Sequence, residues 1–154
     1  MSEFDVKKLK TPDECRTFMK NARDRNREDL RPGAFRRLCE LESGQHPDPI
    51  VVEFWQAIAA LEEVRRQTHG KTVRANRTRS KVIKDGVLAT IEALVLNKKP
   101  SDGFRWLVEA GLGDLTAEHI AARYPSYFSP EVLVASKARL EEYGIPIPTV
   151  LQIT

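Results

Sequence analysis

The chain has 154 residues, of which 41% are hydrophobic and 31% charged, and its 25 Lys and Arg against 22 Asp and Glu leave a net charge of +3. That apolar content excludes a disordered polymer, and the length suffices to bury a substantial core as one domain, 1–154, without metals or disulfides. No apolar run approaches the roughly 20 residues of a membrane-spanning helix, and "MSEFDVKKLK" lacks the apolar core of a signal peptide, which argues against membrane insertion and export.

Helix punctuation dominates from the N-terminus onward. In "TPDE", Thr11 takes the N-cap, Pro12 the first helical position and Glu14 the place that closes a capping box. The spacing predicts a helix to about Arg25, with Cys15, Phe18, Met19 and Ala22 on its buried side. A second helix is predicted over Asp29 to Glu42, with Pro32 in its first turn, Ala34, Phe35, Leu38 and Leu41 at helical spacing, and Gly44 as its stop. Cys15 and Cys39 both fall among apolar helical positions, which suits reduced core thiols and a cytoplasmic setting.

"HPDP" makes Asp48 the next cap and Pro49 the first helical residue. The pattern Ile50, Val51, Phe54, Ile58, Leu61, Val64 then predicts the longest helix, with Arg65 and Arg66 at its negative dipole end and Gly70 as its left-handed stop. A basic loop follows, then a short helix from about Arg77 to Lys84, a break at "DG", and an apolar helix over Val87 to Asn97 with Val87, Ile91, Leu94 and Val95 on one face. Shorter helices beginning at Ser101, Thr116 and Ser129 fill the C-terminal third. The "IPIPTVLQIT" tail, 145–154, reads as an extended arm, because no alternating pattern with hairpin turns occurs. The predicted fold class is all-α, a compact single-domain bundle of about six to eight helices.

The charge is unevenly placed. From Val64 to Lys84 there are eight Lys or Arg and no Asp or Glu, so the remaining 17 basic and 22 acidic residues leave the rest of the chain at −5. A basic stripe on an acidic body points to a polyanionic partner, since the body discourages indiscriminate binding. Such a run is also the ordinary composition of a solvated surface. Against that, its cations are concentrated in a loop and a helix start, without the spaced Glu/Lys pairs of a solvated helix.

With Asn76 as cap and 100° per residue from Arg77, the short helix divides into two faces. Val82 and Ile83 lie inward with Arg79, while Arg77, Ser80, Lys81 and Lys84 face outward as a phosphate ridge. Arg79, on the inward side, requires a carboxylate from a neighbouring helix. Lys71 and Arg74 extend the ridge through the loop, Arg66 precedes it, and the free first-turn amides add donors. Asn76 and Arg77 are placed to touch base edges, although phosphate contact dominates. No aromatic residue occurs between Trp55 and Phe104, so the segment lacks the interleaved stacking platforms of single-strand and RNA binders, and duplex DNA is the expected partner.

Other chemistry finds less support. A helix-turn-helix through "TRSKVIKDGVLATIEALV" would offer Ala89, Thr90, Glu92 and Ala93 to the bases, a poor set for readout. "HGKT" lacks the preceding glycine of a phosphate-binding loop. His46, His69 and His119 are far apart, and the cysteines form no CxxC pair, so neither a metal nor a cofactor is expected. Asp48 and Glu53 beside Trp55 have no Glu-x-Lys following, which argues against a nuclease. Trp55, Phe104 and Trp106 read as core anchors.

"LKTPDEC", "FRRLCELES", "RANRTRSKVIKDG" and "GFRWLVEAGL" together resemble helical segments of uncharacterised bacterial proteins, some of which accompany HNH-type or restriction-type nucleases. The resemblance covers most of the chain, assigns no active-site residue and implies a nucleic-acid-linked, non-catalytic helical module. The His-Asn-His constellation of such nucleases is not evident. The expectation is therefore a DNA-binding protein, alone or as a symmetric homodimer, that holds phosphates through Arg66, Lys71, Arg74, Asn76, Arg77, Ser80, Lys81 and Lys84. The alternative expectation is a protein-interaction adaptor that turns the same segment toward an acidic partner.

Overall fold

Five helices start where a side-chain oxygen accepts a first-turn amide. Thr11 takes the Glu14 amide at 3.1 Å, Asp48 that of Ile50 at 3.2 Å, Ser101 that of Phe104 at 3.1 Å, Thr116 that of His119 at 3.2 Å and Ser129 that of Val132 at 3.4 Å. Each satisfies a donor that the helix itself cannot, a contribution of about 1 kcal/mol. The computed structural model describes residues 5–149, and among them the fold is all-α, with eight α-helices, short 3-10 turns and no β-strand. The helices are α1 (Pro12–Asp24), α2 (Arg31–Ser43), α3 (Pro49–His69), α4 (Asn76–Asp85), α5 (Val87–Leu96), α6 (Asp102–Glu109), α7 (Ala117–Arg123) and α8 (Pro130–Glu142).

Two starts differ from expectation. The Glu14 carboxylate reaches the Lys10 amide at 2.9 Å, one residue before the cap it was expected to close. The second helix begins with a 3-10 turn over Glu28–Leu30 and becomes α-helical at Arg31, where Pro32 needs no amide partner.

The 21-residue α3 is the axis of the bundle. It packs against α2 on one side, with α1 beyond, and against α6 and α7 on the other; α5 and α8 close over α7, and α4 lies on α5. One continuous apolar cluster runs from Leu9 to Val132 and includes Leu38, Ile50, Phe54, Ile91 and Ile120, all essentially inaccessible. Truncating one of these to Ala is worth about 2–5 kcal/mol. Gly103 lets the first turn of α6 lie directly on α3, because a Cβ there would stand 2.9 Å from Leu61 Cδ2.

Both cysteines are free and buried. Burial pushes the Cys39 thiol up to about 12 and raises that of Cys15, so both stay protonated and unreactive. Past α8 the chain is irregular: Ile145 donates its amide to Leu140 at 2.8 Å, residues 145–149 have no regular structure, and 150–154 of the expected arm lie outside the described residues. Among the described residues no helix is long and apolar enough to cross a membrane.

Candidate nucleic-acid interface

The basic segment is fastened to α3 at two points. Gly70, at φ 74°, ends α3 in the left-handed conformation glycine adopts without penalty, and its amide closes on the Arg66 carbonyl at 2.8 Å. After Lys71 to Arg74 the chain returns to the same helix. Glu62 Oε2 accepts the Ala75 amide at 2.8 Å and Arg79 Nε at 2.7 Å, while Oε1 accepts Arg79 Nη2 at 2.6 Å. The Arg79 guanidinium also lies over Trp55, 5.5 Å from the ring centroid. Burial pushes the Glu62 carboxyl upward, but the hydrogen bonds from Arg79 and the Ala75 amide outweigh it and hold the group below its ordinary range. Arg79 is thus the paired, inward cation that the helical wheel requires.

Two features of the short helix depart from the wheel. Asn76 is the first helical residue, not the cap; Ala75 occupies the cap position and has no side-chain oxygen to offer, so the start of α4 lacks a side-chain cap. Ile83 is 87% exposed instead of packed inward. The inner, half-buried arc is set by Thr78 and Val82 together with the Arg79 fork on Glu62, and Ile83, 100° beyond Val82, is carried past its edge.

The eight expected contact residues divide by their partners. Lys81 is tied to Asp85 at 2.6 Å, and Arg66 lies 3.8 Å from Glu63, itself nearly fully buried. Neither is a free cation. Lys71, Arg74, Arg77 and Lys84 are exposed and make no ion pair with any described carboxylate; Asn76 and Ser80 are exposed beside them.

Arg74 stands between two hollows. One, of about 490 Å³, is lined by Arg16, Trp55, Glu62, Glu63, Arg66 and Arg79 among others, and its charges other than that of Arg74 are ion-paired. Arg16 alone reaches Glu63 at 2.8 Å, Asp13 at 3.0 Å and Glu42 at 3.5 Å. The other hollow, of about 790 Å³, opens between α3, the start of α4, α6 and α7, and brings Arg65, Arg74, Asn76 and Arg77 together with Phe104 and Trp106. Arg65 lies 4.5 Å above the Trp106 ring. Aromatic rings therefore do flank the basic segment in space, although none lies within it in sequence. The spacing of Trp55 and Glu62, two helical turns apart on α3, was a legible sign that one ring and one carboxylate share a face; nothing local announced Trp106.

The titratable groups around Arg123 are engaged in holding helices together. Arg123 pairs with Glu53 at 3.0 Å, donates to the Asp114 carbonyl at 2.8 Å and contacts His119 Nδ1. Burial and then Arg123 depress the His119 pKa, which keeps its ring neutral at pH 7. Tyr124 is pushed up to about 12 by burial and by Glu53. Among the described residues no three His, Cys, Asp or Glu side chains are grouped to hold a metal ion. No protein-family model, curated protein or solved structure matches the chain.

Proposed function

We propose that this protein is a non-catalytic, cytoplasmic binder of duplex DNA that holds the phosphate backbone through the loop and helix spanning Lys71 to Lys84. The supporting observation is that Lys71, Arg74, Arg77 and Lys84 are exposed and make no ion pair with a described carboxylate, next to a helix start that has no side-chain cap. Exposed cations without an ion pair and free amide donors are the two groups that phosphate oxygens seek. Asn76 and Ser80 add neutral hydrogen-bonding groups on the same helix. Four phosphate contacts give a log–log dependence of affinity on salt with a slope of roughly −3 to −4.

The test is a duplex titration at several salt concentrations with the unaltered chain and with the Lys71→Ala, Arg74→Ala, Arg77→Ala triple variant. The variant is expected to lose most of its affinity and to flatten the slope by roughly 3, with stability changed by no more than about 0.5 kcal/mol per site. Intact affinity in the variant, or binding indifferent to salt, refutes the proposal. The adaptor alternative draws on Ile83, an apolar side chain exposed at the edge of the cations. Ile83→Lys separates the two, since it leaves DNA binding intact or stronger but removes a contact an acidic protein partner would use.

A further inference from the structure

Among the described residues the arginines without an ion pair are Arg23, Arg25, Arg65, Arg74 and Arg77, and the last three line one cavity. This is the hollow of about 790 Å³ between α3, α4, α6 and α7, within the range of about 300–1,000 Å³ of small-molecule sites. Its lining has two parts. Phe54, Ile58, Phe104, Leu107 and Ile120 are buried and form an apolar, partly aromatic floor. Arg74 and Arg77 are exposed, which places them at the rim, and Arg65 is half-buried.

Arg65 is the informative residue. Its Nε is fully buried and has no hydrogen-bond partner, while its guanidinium lies on Trp106. A buried guanidinium N–H without an acceptor is unfavourable, and such groups in native proteins call for an explanation. The acids that line the cavity do not supply the acceptor: Asp102 is paired with Arg105, and Glu118 with Arg139 at 2.9 Å. The cavity therefore keeps three arginines without an ion pair, of which Arg74 alone also feels the Glu62 carboxylate. The complement is an anion joined to a flat, uncharged body: oxygens for the arginines, and a ring for the floor. The exposed side-chain amides of Asn76 and Asn97 also line the cavity and suit a ring edge that carries both donors and acceptors.

We infer that this cavity binds a nucleoside monophosphate unit, with its phosphate on Arg65, Arg74 and Arg77 and its base against the aromatic floor. The inference goes beyond backbone binding to duplex DNA and shares only Arg74, Asn76 and Arg77 with it. The unit is either a free nucleotide or the phosphorylated end of a strand.

Isothermal calorimetry on the unaltered chain with deoxyadenosine monophosphate, deoxyadenosine and inorganic phosphate tests it. The nucleotide is expected to bind at least about tenfold more tightly than either fragment, and Arg65→Gln to lose about tenfold. Should Arg65→Gln fail to fold by circular dichroism, Arg77→Ala, an exposed position, is expected to lose roughly threefold. Displacement of the nucleotide by a 5′-phosphorylated oligonucleotide but not by its 5′-hydroxyl counterpart assigns the strand end; displacement by neither assigns the free nucleotide, and both outcomes support the site. Phosphate binding as tightly as the nucleotide overturns it, as does unchanged affinity in the folded variants. Duplex binding with no nucleotide binding at millimolar concentration overturns the site and leaves the backbone proposal standing, whereas nucleotide binding without duplex binding does the reverse.

Discussion

Arg139 and Arg77 are the same residue type in opposite circumstances. Arg139, on α8, is almost enclosed: it reaches Glu118 at 2.9 Å and the carbonyls of Leu94 and Val95 at 3.3 Å, and so ties α8 to α7 and to the end of α5. Arg77, on α4, is exposed and touches no acid. In the helical body, cations serve as connectors between elements. In the segment from Val64 to Lys84 the sequence withholds the acids, and among the described residues Glu62 and Glu63, from just outside it, and Asp85, just past its end, intervene. An arginine's surroundings, more than its abundance in the chain, separate the connectors from the charges left for a partner.

Breaking the connector side should have the largest effect. Arg139→Met leaves Glu118 buried without its counter-charge, a loss of about 3–5 kcal/mol that urea denaturation will register. Burial already outweighs Arg139 in raising the Glu118 carboxyl. A raised folded-state pKa contributes stability below the unfolded value that is lost as pH rises through the folded value. Stability attributable to Glu118 should therefore decline as pH climbs out of the acid range, more steeply in the variant.

Glu62→Gln should be intermediate, at about 2 kcal/mol, because it weakens a bidentate arginine pair and a bond to the Ala75 amide. Its pH dependence has the opposite sign. The folded-state pKa of Glu62 is depressed, so its contribution is present above the unfolded value and disappears as pH falls through the folded one. The gap in urea midpoint between wild type and variant should close on acidification.

Ile83→Lys should have the smallest effect, within about 0.5 kcal/mol, since the side chain is 87% exposed. A loss of 2 kcal/mol or more by the same denaturation would show that Ile83 is packed after all, as its place on the wheel predicted.

The contrast also separates what was legible in the sequence from what was not. The starts at Thr11, Asp48, Ser101, Thr116 and Ser129 were readable because a cap and its amide lie within three residues of each other. Gly70 was readable for the same reason. The inward, ion-paired Arg79 followed from charge and periodicity alone. The rotation of α4 did not, because it is set by Glu62, 17 residues earlier, and by how Val82 packs, half-buried, against the core. The pairing of Arg65 with Trp106 was equally hidden, since it depends on α6 lying against α3, a contact that Gly103 permits and no local pattern reveals.

The double fastening of the basic loop has a consequence for how any partner is met. Its Gly70 end closes on Arg66 and its Ala75 end on Glu62, points four residues apart on one rigid helix and so roughly 6 Å along its axis. Lys71 to Arg74 are thus a closed handle, not a tether. Capture would arrest side chains, at about 0.5–1.5 kcal/mol each, without folding any backbone. The heat-capacity change on association should accordingly be small and accounted for by contact area alone, with none of the large negative excess that marks a segment ordering as it binds.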